Sequence, residues 1–361
     1  MNRLFFPTMI LAAWLAIGAA PPAGAQAPML RIASFQAGPV RCGALELVPT
    51  RAVAPLPVAT AAAAPRDPIR FGLRIDREGR PLSIRRLGGP VDAALDIRDL
   101  APALTAWRFE PGAGEEGCEI AFDVRLDSVE EADPALLYRY AALERMQFAD
   151  GSGALLAQTF ARLRLPGSTC TPDPVPSKPI EFDYQSIPEV LGGISYSFYG
   201  FDVDGDGRPV HVRLLSSSGN RSLDVAGDIA IGAARFPPQP RSGCLHYFYR
   251  NSTQIAPPPD GPDDFRQGGP ACAEKIWRQV ATHFRMGYPP EFIRRPAEGW
   301  VTFTYDIGPA GTLDNVRILA SEPAARFGEE VLRGAAEVRV SGIPSAQHGC
   351  AQRVRFQFPP R

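Results

Sequence analysis

The chain has 361 residues and a formal net charge of -1 at pH 7, long enough for two or three domains that each bury a core. So balanced a charge gives no electrostatic reason to expect nucleic acid or an anionic membrane as a partner. Its 38 prolines and 34 glycines favour many turns and short elements and exclude long helical bundles.

In chain order, Asn2 and Arg3 precede an apolar run from Leu4 to Ala20, followed by Ala23-Gly24-Ala25, the small-x-small pattern of a signal peptidase site. Residues 1–25 are therefore expected to be a signal peptide, cleaved after Ala25 to leave Gln26 first. The rival reading is an uncleaved anchor through residues 4–20, but that run is short for a membrane span and contains Pro7. No later stretch is long and apolar enough to read as a span.

Export places the six cysteines in an oxidising compartment. Cys42 and Cys118, Cys170 and Cys244, and Cys272 and Cys350 are separated by 76, 74 and 78 residues, and the second of each couple follows a glycine. Six cysteines allow fifteen pairings, yet only this one gives three copies of a unit the same bridge. Each copy reads as strand, strand, helix, strand. The first strands are "IRFGLRID" from Ile69, "SYSFYGFDVD" from Ser195 and "WVTFTYDIG" from Trp300, each with period-two alternation. Turns follow at Gly79, Gly207 and Gly311, then second strands "LSIRRL", "VHVRLL" and "DNVRIL". Helical faces are expected from Leu100, Leu104 and Trp107, from Val225, Ile229 and Ala233, and from Phe327, Val331 and Ala335. The last strands are "EIAFDVRL", "LHYFYR" and "AQRVRFQF". The fold class is thus α+β, three small β-β-α-β modules with one helix over each antiparallel sheet.

The boundaries implied are 26–128, 169–255 and 271–361 for the modules, with a helical connector at 129–168 and a linker at 256–270. In the connector, Asp133-Pro134 is a cap followed by a first-turn proline, and Leu136, Leu137, Tyr140 and Leu143 form an apolar face. The linker, "APPPDGPDDFRQGGP", is flexible or extended by composition. A further Ala/Pro-rich stretch at 52–65 lies inside the first module.

The run "DVDGDG" at 202–207 opens like a calcium loop through Asp202, Asp204 and Asp206. The twelfth position is Arg213, a cation where the metal needs a carboxylate, and the counterpart turns keep only the glycine. It reads as a hairpin turn, and no metal or cofactor is expected. His211, His246, His283 and His348 are scattered, with no zinc spacing, nucleophile elbow or phosphate loop nearby, so no enzyme activity and no small-molecule substrate are expected.

Tyr288-Pro289-Pro290, Gly299 with Val301, the hairpin glycines, Ser217-Ser218-Gly219 and Arg235-Phe236-Pro237-Pro238 resemble the C-terminal domain of TonB and related periplasmic proteins. The first module carries the resemblance only through Gly79 and Trp107-Arg108-Phe109. The resemblance implies recognition of outer-membrane receptor peptides by strand addition at a sheet edge. It makes the last strand the candidate edge: Gln352, Arg353, Val354, Arg355, Phe356 and Gln357, with Leu245 to Arg250 as the counterpart. Arg353 and Arg355 share a face, expected to be solvated. The reading is a non-enzymatic periplasmic binding or adaptor protein with a protein partner; a membrane-anchored energy transducer for receptor transport is the alternative, and it requires the N-terminal anchor.

Overall fold

The computed structural model describes residues 29–143, 153–178, 180–261, 265, 267–268, 272–341 and 346–358. The signal peptide at 1–25, the start at Gln26 and the alternative anchor at 4–20 lie outside the described residues. Among those described, no helix is long and apolar enough to cross a membrane. The structure is mixed α+β with antiparallel sheets.

The first cysteine-bounded segment holds β1 (Arg31–Ala37), β2 (Val40–Cys42), β3 (Leu45–Leu47), β4 (Val58–Thr60), β5 (Ile69–Ile75), β6 (Pro81–Leu87), α1 (Leu100–Thr105) and β7 (Glu115–Asp127). Long β7 is the axis of this seven-stranded sheet: Phe122 has Ile69 of β5 on one side and Ala37 of β1 on the other. The expectation of a simple β-β-α-β unit here is corrected, because β1 to β4 precede it. Strands β2, β3 and β4 have three residues each, too few to show a period, and β4 falls within the Ala/Pro-rich stretch. Such short strands owe their order to the neighbour they pair with rather than to their own pattern.

Two connector helices, α2 (Pro134–Leu143) and α3 (Gly153–Leu163), lead to β8 (Ile194–Val203), β9 (Pro209–Ser217), α4 (Arg221–Ala233) and β10 (Arg241–Asn251), with strand order β10-β8-β9. Asp133 caps α2 by accepting the Ala135 N–H at 2.7 Å. Leu137, Tyr140 and Leu143 are buried with Phe198 and Leu245 of the second sheet and with Ile32 and Leu56 of the first segment. The third segment comprises α5 (Glu274–His283), α6 (Glu291–Arg294), β11 (Gly299–Ile307), β12 (Leu313–Glu322), α7 (Ala325–Glu337) and β13 (Gln347–Phe356), with order β12-β11-β13. The three couples expected to be disulfides are bonded, with Cα atoms 4.0, 5.0 and 4.9 Å apart.

The same local devices stand at corresponding places. Gly79, Gly207 and Gly311 have φ of 74°, 77° and 75°, and their carbonyls accept the N–H of Phe109, Phe236 and Val340, each at 2.9 Å. A Cβ on any of them would overlap the carbonyl oxygen of that same partner, so only glycine fits. A bulge follows in each second strand, where Ser83, His211 and Asn315 take φ of 52°, 54° and 51°. Their side chains meet Arg74, Asp202 and Asp306 of the neighbouring strand at 3.2, 3.0 and 2.7 Å.

The helix of the second segment corrects its expected face. Leu223, Gly227, Ala230 and Ile231 are buried, whereas Val225 and Ile229 are 56% and 65% exposed. Gly227 is the contact point: a Cβ there would lie 2.8 and 2.9 Å from ring carbons of Tyr199 and Phe248. The β-branched pair carried the 3.6-residue period, but helix–sheet distance selected the row containing the glycine. Phe327, Val331 and Ala335 of α7 are buried as expected.

The segments interlock. Glu322, buried at the end of β12, accepts the Ser83 N–H at 2.6 Å and Arg74 Nη2 at 3.0 Å, while the Ile84 N–H donates to the Pro323 carbonyl. Arg295, 1% exposed, donates twice to Asp99 at 2.7 Å, and to the carbonyls of Gly192 at 2.6 Å and Ala54 at 3.2 Å. One guanidinium thus joins all three segments, its fork geometry suited to a bidentate carboxylate and two further acceptors.

Candidate partner-binding edge

Among the described residues, β13 and β10 are end strands of their sheets. β7 is not: β1 and β2 occupy its outer side from Asp127 to Cys118.

Along β13, Cys350, Gln352, Val354 and Phe356 point toward the core beneath α7. Gln352 accepts from the Tyr305 hydroxyl at 3.4 Å, and Phe356 packs on Phe327 and Tyr288 at 5.0 and 6.0 Å between ring centroids. The Tyr288 hydroxyl donates to the Ala297 carbonyl, and burial raises its pKa. Gln357 lies just past the end of the strand and is exposed, as is Arg355.

Arg353 departs from its expected solvated position. Its guanidinium lies 4.8 Å from the centroid of Phe265 and 5.4 Å from that of Trp300, distances typical of cation–π stacking. The outer backbone edge is also engaged. The Gly268 N–H donates to the Ala351 carbonyl at 2.7 Å, the Gln267 side-chain carbonyl accepts the Arg353 N–H at 2.7 Å, and the Gln267 amide donates to the Arg353 carbonyl at 3.1 Å. The described linker residues thus lie against the third segment. Ala256 exchanges backbone bonds around Ala297, and the Pro259 carbonyl accepts the Trp300 indole N–H at 2.8 Å.

Beside β10 runs a groove of about 950 Å³, lined by Ile180, Phe182, Tyr184, His246, Phe248 and Tyr249. Phe182 stacks on Phe248 at 4.6 Å, and burial holds the His246 pKa below its ordinary value. The groove's far end is tied by Glu189, which pairs with Arg250 and accepts from the backbone of Thr253 and Gln254 at 2.6 and 3.0 Å. Burial opposes the Glu189 charge, but these donors outweigh it and lower its pKa.

The carboxylates of 202–207 serve the hairpin. Asp204 accepts the N–H groups of Asp206 and Arg208 at 2.9 and 2.8 Å, as Asp76 does those of Glu78 and Arg80. Asp202 accepts the Gly243 N–H at 2.8 Å, and Asp306 that of Gly349 at 2.9 Å. Among the described residues, no cluster of three or more His, Cys, Asp or Glu side chains could hold a metal ion.

Sequence reasoning passed over Gln267, Phe265, Arg295 and Glu322. For the first two a signal was present: Phe265 is the lone aromatic in an otherwise Pro, Gly and Asp-rich linker, and a lone aromatic there suggests docking rather than solvation. For the last two none was, since their partners lie far along the chain.

An antiparallel sheet of order β12-β11-β13 backed by α7 makes the third segment a small α+β domain. Residues 285–360 match the family model described as Gram-negative bacterial TonB protein C-terminal. The match spans α6, α7 and all three strands of that sheet, and it makes this part of the chain similar to a TonB-like interaction domain of the cell envelope. No curated protein matches the chain.

Proposed function

We propose that the protein is a non-enzymatic periplasmic binding or adaptor protein that engages an envelope partner by adding the partner's strand to a sheet edge. In this reading residues 1–25 are a cleaved signal peptide. Residues 26–128, 169–255 and 271–361 are three TonB C-terminal-like repeats, joined by the helical connector at 129–168 and the linker at 256–270. The repeat reading is supported by the shared turn glycines, the left-handed bulge residues and the equivalent disulfides. The observation that carries the function is the position of β13, an end strand within the region that matches the family.

The partner is a protein segment, with outer-membrane receptor peptides as the favoured class; no cofactor takes part. A photo-crosslinking side chain at Arg355, used in intact cells, should capture outer-membrane proteins. Capture no greater than from a control position on β6, such as Arg85, would remove the reading. Sequencing the N-terminus of cell-derived protein separates the two localisations: Gln26 supports the periplasmic adaptor, whereas an intact Met1 in the inner-membrane fraction supports an anchored transducer.

A further inference from the structure

We propose that Phe265, Gln267 and Gly268 form an intramolecular strand mimic that closes the β13 edge and must be displaced before a partner strand can pair there; this rests on the edge reading above. The Gln267 side-chain amide offers one acceptor and one donor to the two backbone groups of Arg353, as a paired residue of a neighbouring strand would. Gly268 adds the next contact at Ala351. Phe265 stacks on the Arg353 guanidinium from one side and Trp300 lies near it as well, which fixes the long side chain beside the mimic.

Gly268 is suited to this place and few other residues would be. Its φ is 88°, and a Cβ there would come within 2.7 Å of Nε1 of Trp277 on α5. Helix α5 begins two residues after Cys272, which is bonded to Cys350 of β13. The disulfide thus holds both walls of the slot through which Gly268 passes. The mimic itself is short: it reaches Ala351 and Arg353, whereas an incoming strand can also pair along Arg355. A longer ladder can therefore replace it, and the edge stays closed to weak or short competitors.

The test uses amide hydrogen exchange in the full chain. In Q267A and in G268A the Arg353 amide should exchange roughly tenfold or more faster than in the wild type, while the Val354 amide, paired to β11, keeps its protection. Unchanged exchange at Arg353 in both variants would overturn the proposal. In a second arm, a synthetic peptide of residues 260–270 is added to a variant whose residues 262–268 are replaced by Gly and Ser. Binding with restored protection at Arg353 is expected, and the wild-type protein should bind the same peptide at least tenfold more weakly. Equal binding by the two proteins would show that nothing needs displacing. Because the exchange measurement involves no partner, the strand mimic and the adaptor reading can fail separately.

Discussion

In the first segment the outer side of β7 is paired to β1 from Phe122 to Asp127 and to β2 at Cys118 and Glu119, whereas in the third segment the outer backbone of β13 meets, among the described residues, Gln267 and Gly268. The bulges differ as well. Asp306 turns back to cap Gly349 of its own segment, but the first segment has Arg74 at that place, and Arg74 with Ser83 receives Glu322 from the third. The comparison teaches that one local architecture can have its outer edge built over by further strands or covered by a two-residue contact. A covalently continuous strand closes an edge for good; a two-residue contact closes it conditionally.

The most damaging way to break the contrast is at Arg295. Arg295→Ala leaves Asp99 buried without its cation, and unfolding free energy should fall by about 3–5 kcal/mol, read from urea denaturation; an Arg295→Met, Asp99→Leu double variant should recover part of it. Next come the turn glycines. Gly79→Ala, Gly207→Ala and Gly311→Ala should each cost about 1–3 kcal/mol through left-handed strain and carbonyl overlap, and a loss at only one of the three would undo the claimed equivalence. Glu322→Gln should cost about 1–2 kcal/mol by weakening its charge-assisted bonds to Arg74 and Ser83, while Asp306→Asn leaves that junction intact.

The mildest test is acid. Burial raises the Asp202 pKa, but the Gly243 N–H and then His211 lower it further, leaving it below the ordinary value. A carboxyl with a depressed folded-state pKa contributes stability that is present above its unfolded value, about 4, and lost as pH falls through the folded one. Urea midpoints should therefore drop as pH falls below about 4, less steeply in Asp202→Asn; the first segment has Arg74 in place of this carboxyl.

Much of the local plan was legible. Each strand from Ile69 onward that spans a hairpin shows its period, and the cysteine spacing picks one pairing because a repeated unit needs the same bridge each time. The outer faces were not legible where a glycine decides the packing, as Gly227 does in α4. Strands β2, β3 and β4 are too short to declare themselves. The contacts that orient the segments join residues 196 and 248 apart, Arg295 to Asp99 and Arg74 to Glu322, and a single sequence holds no record of which distant charges meet. Of the candidate edge, position was legible and availability was not, because the mimic that closes it uses a glutamine amide in place of a strand.

All four hydrogen bonds of the Arg295 guanidinium leave its own segment. Cutting the chain between residues 256 and 261 would thus place every acceptor of this cation on the far side of the cut, and leave buried Asp99 dependent on a cation no longer joined to it by the chain. The C-terminal portion is not a detachable head on a tether. The three segments should melt together in a single step.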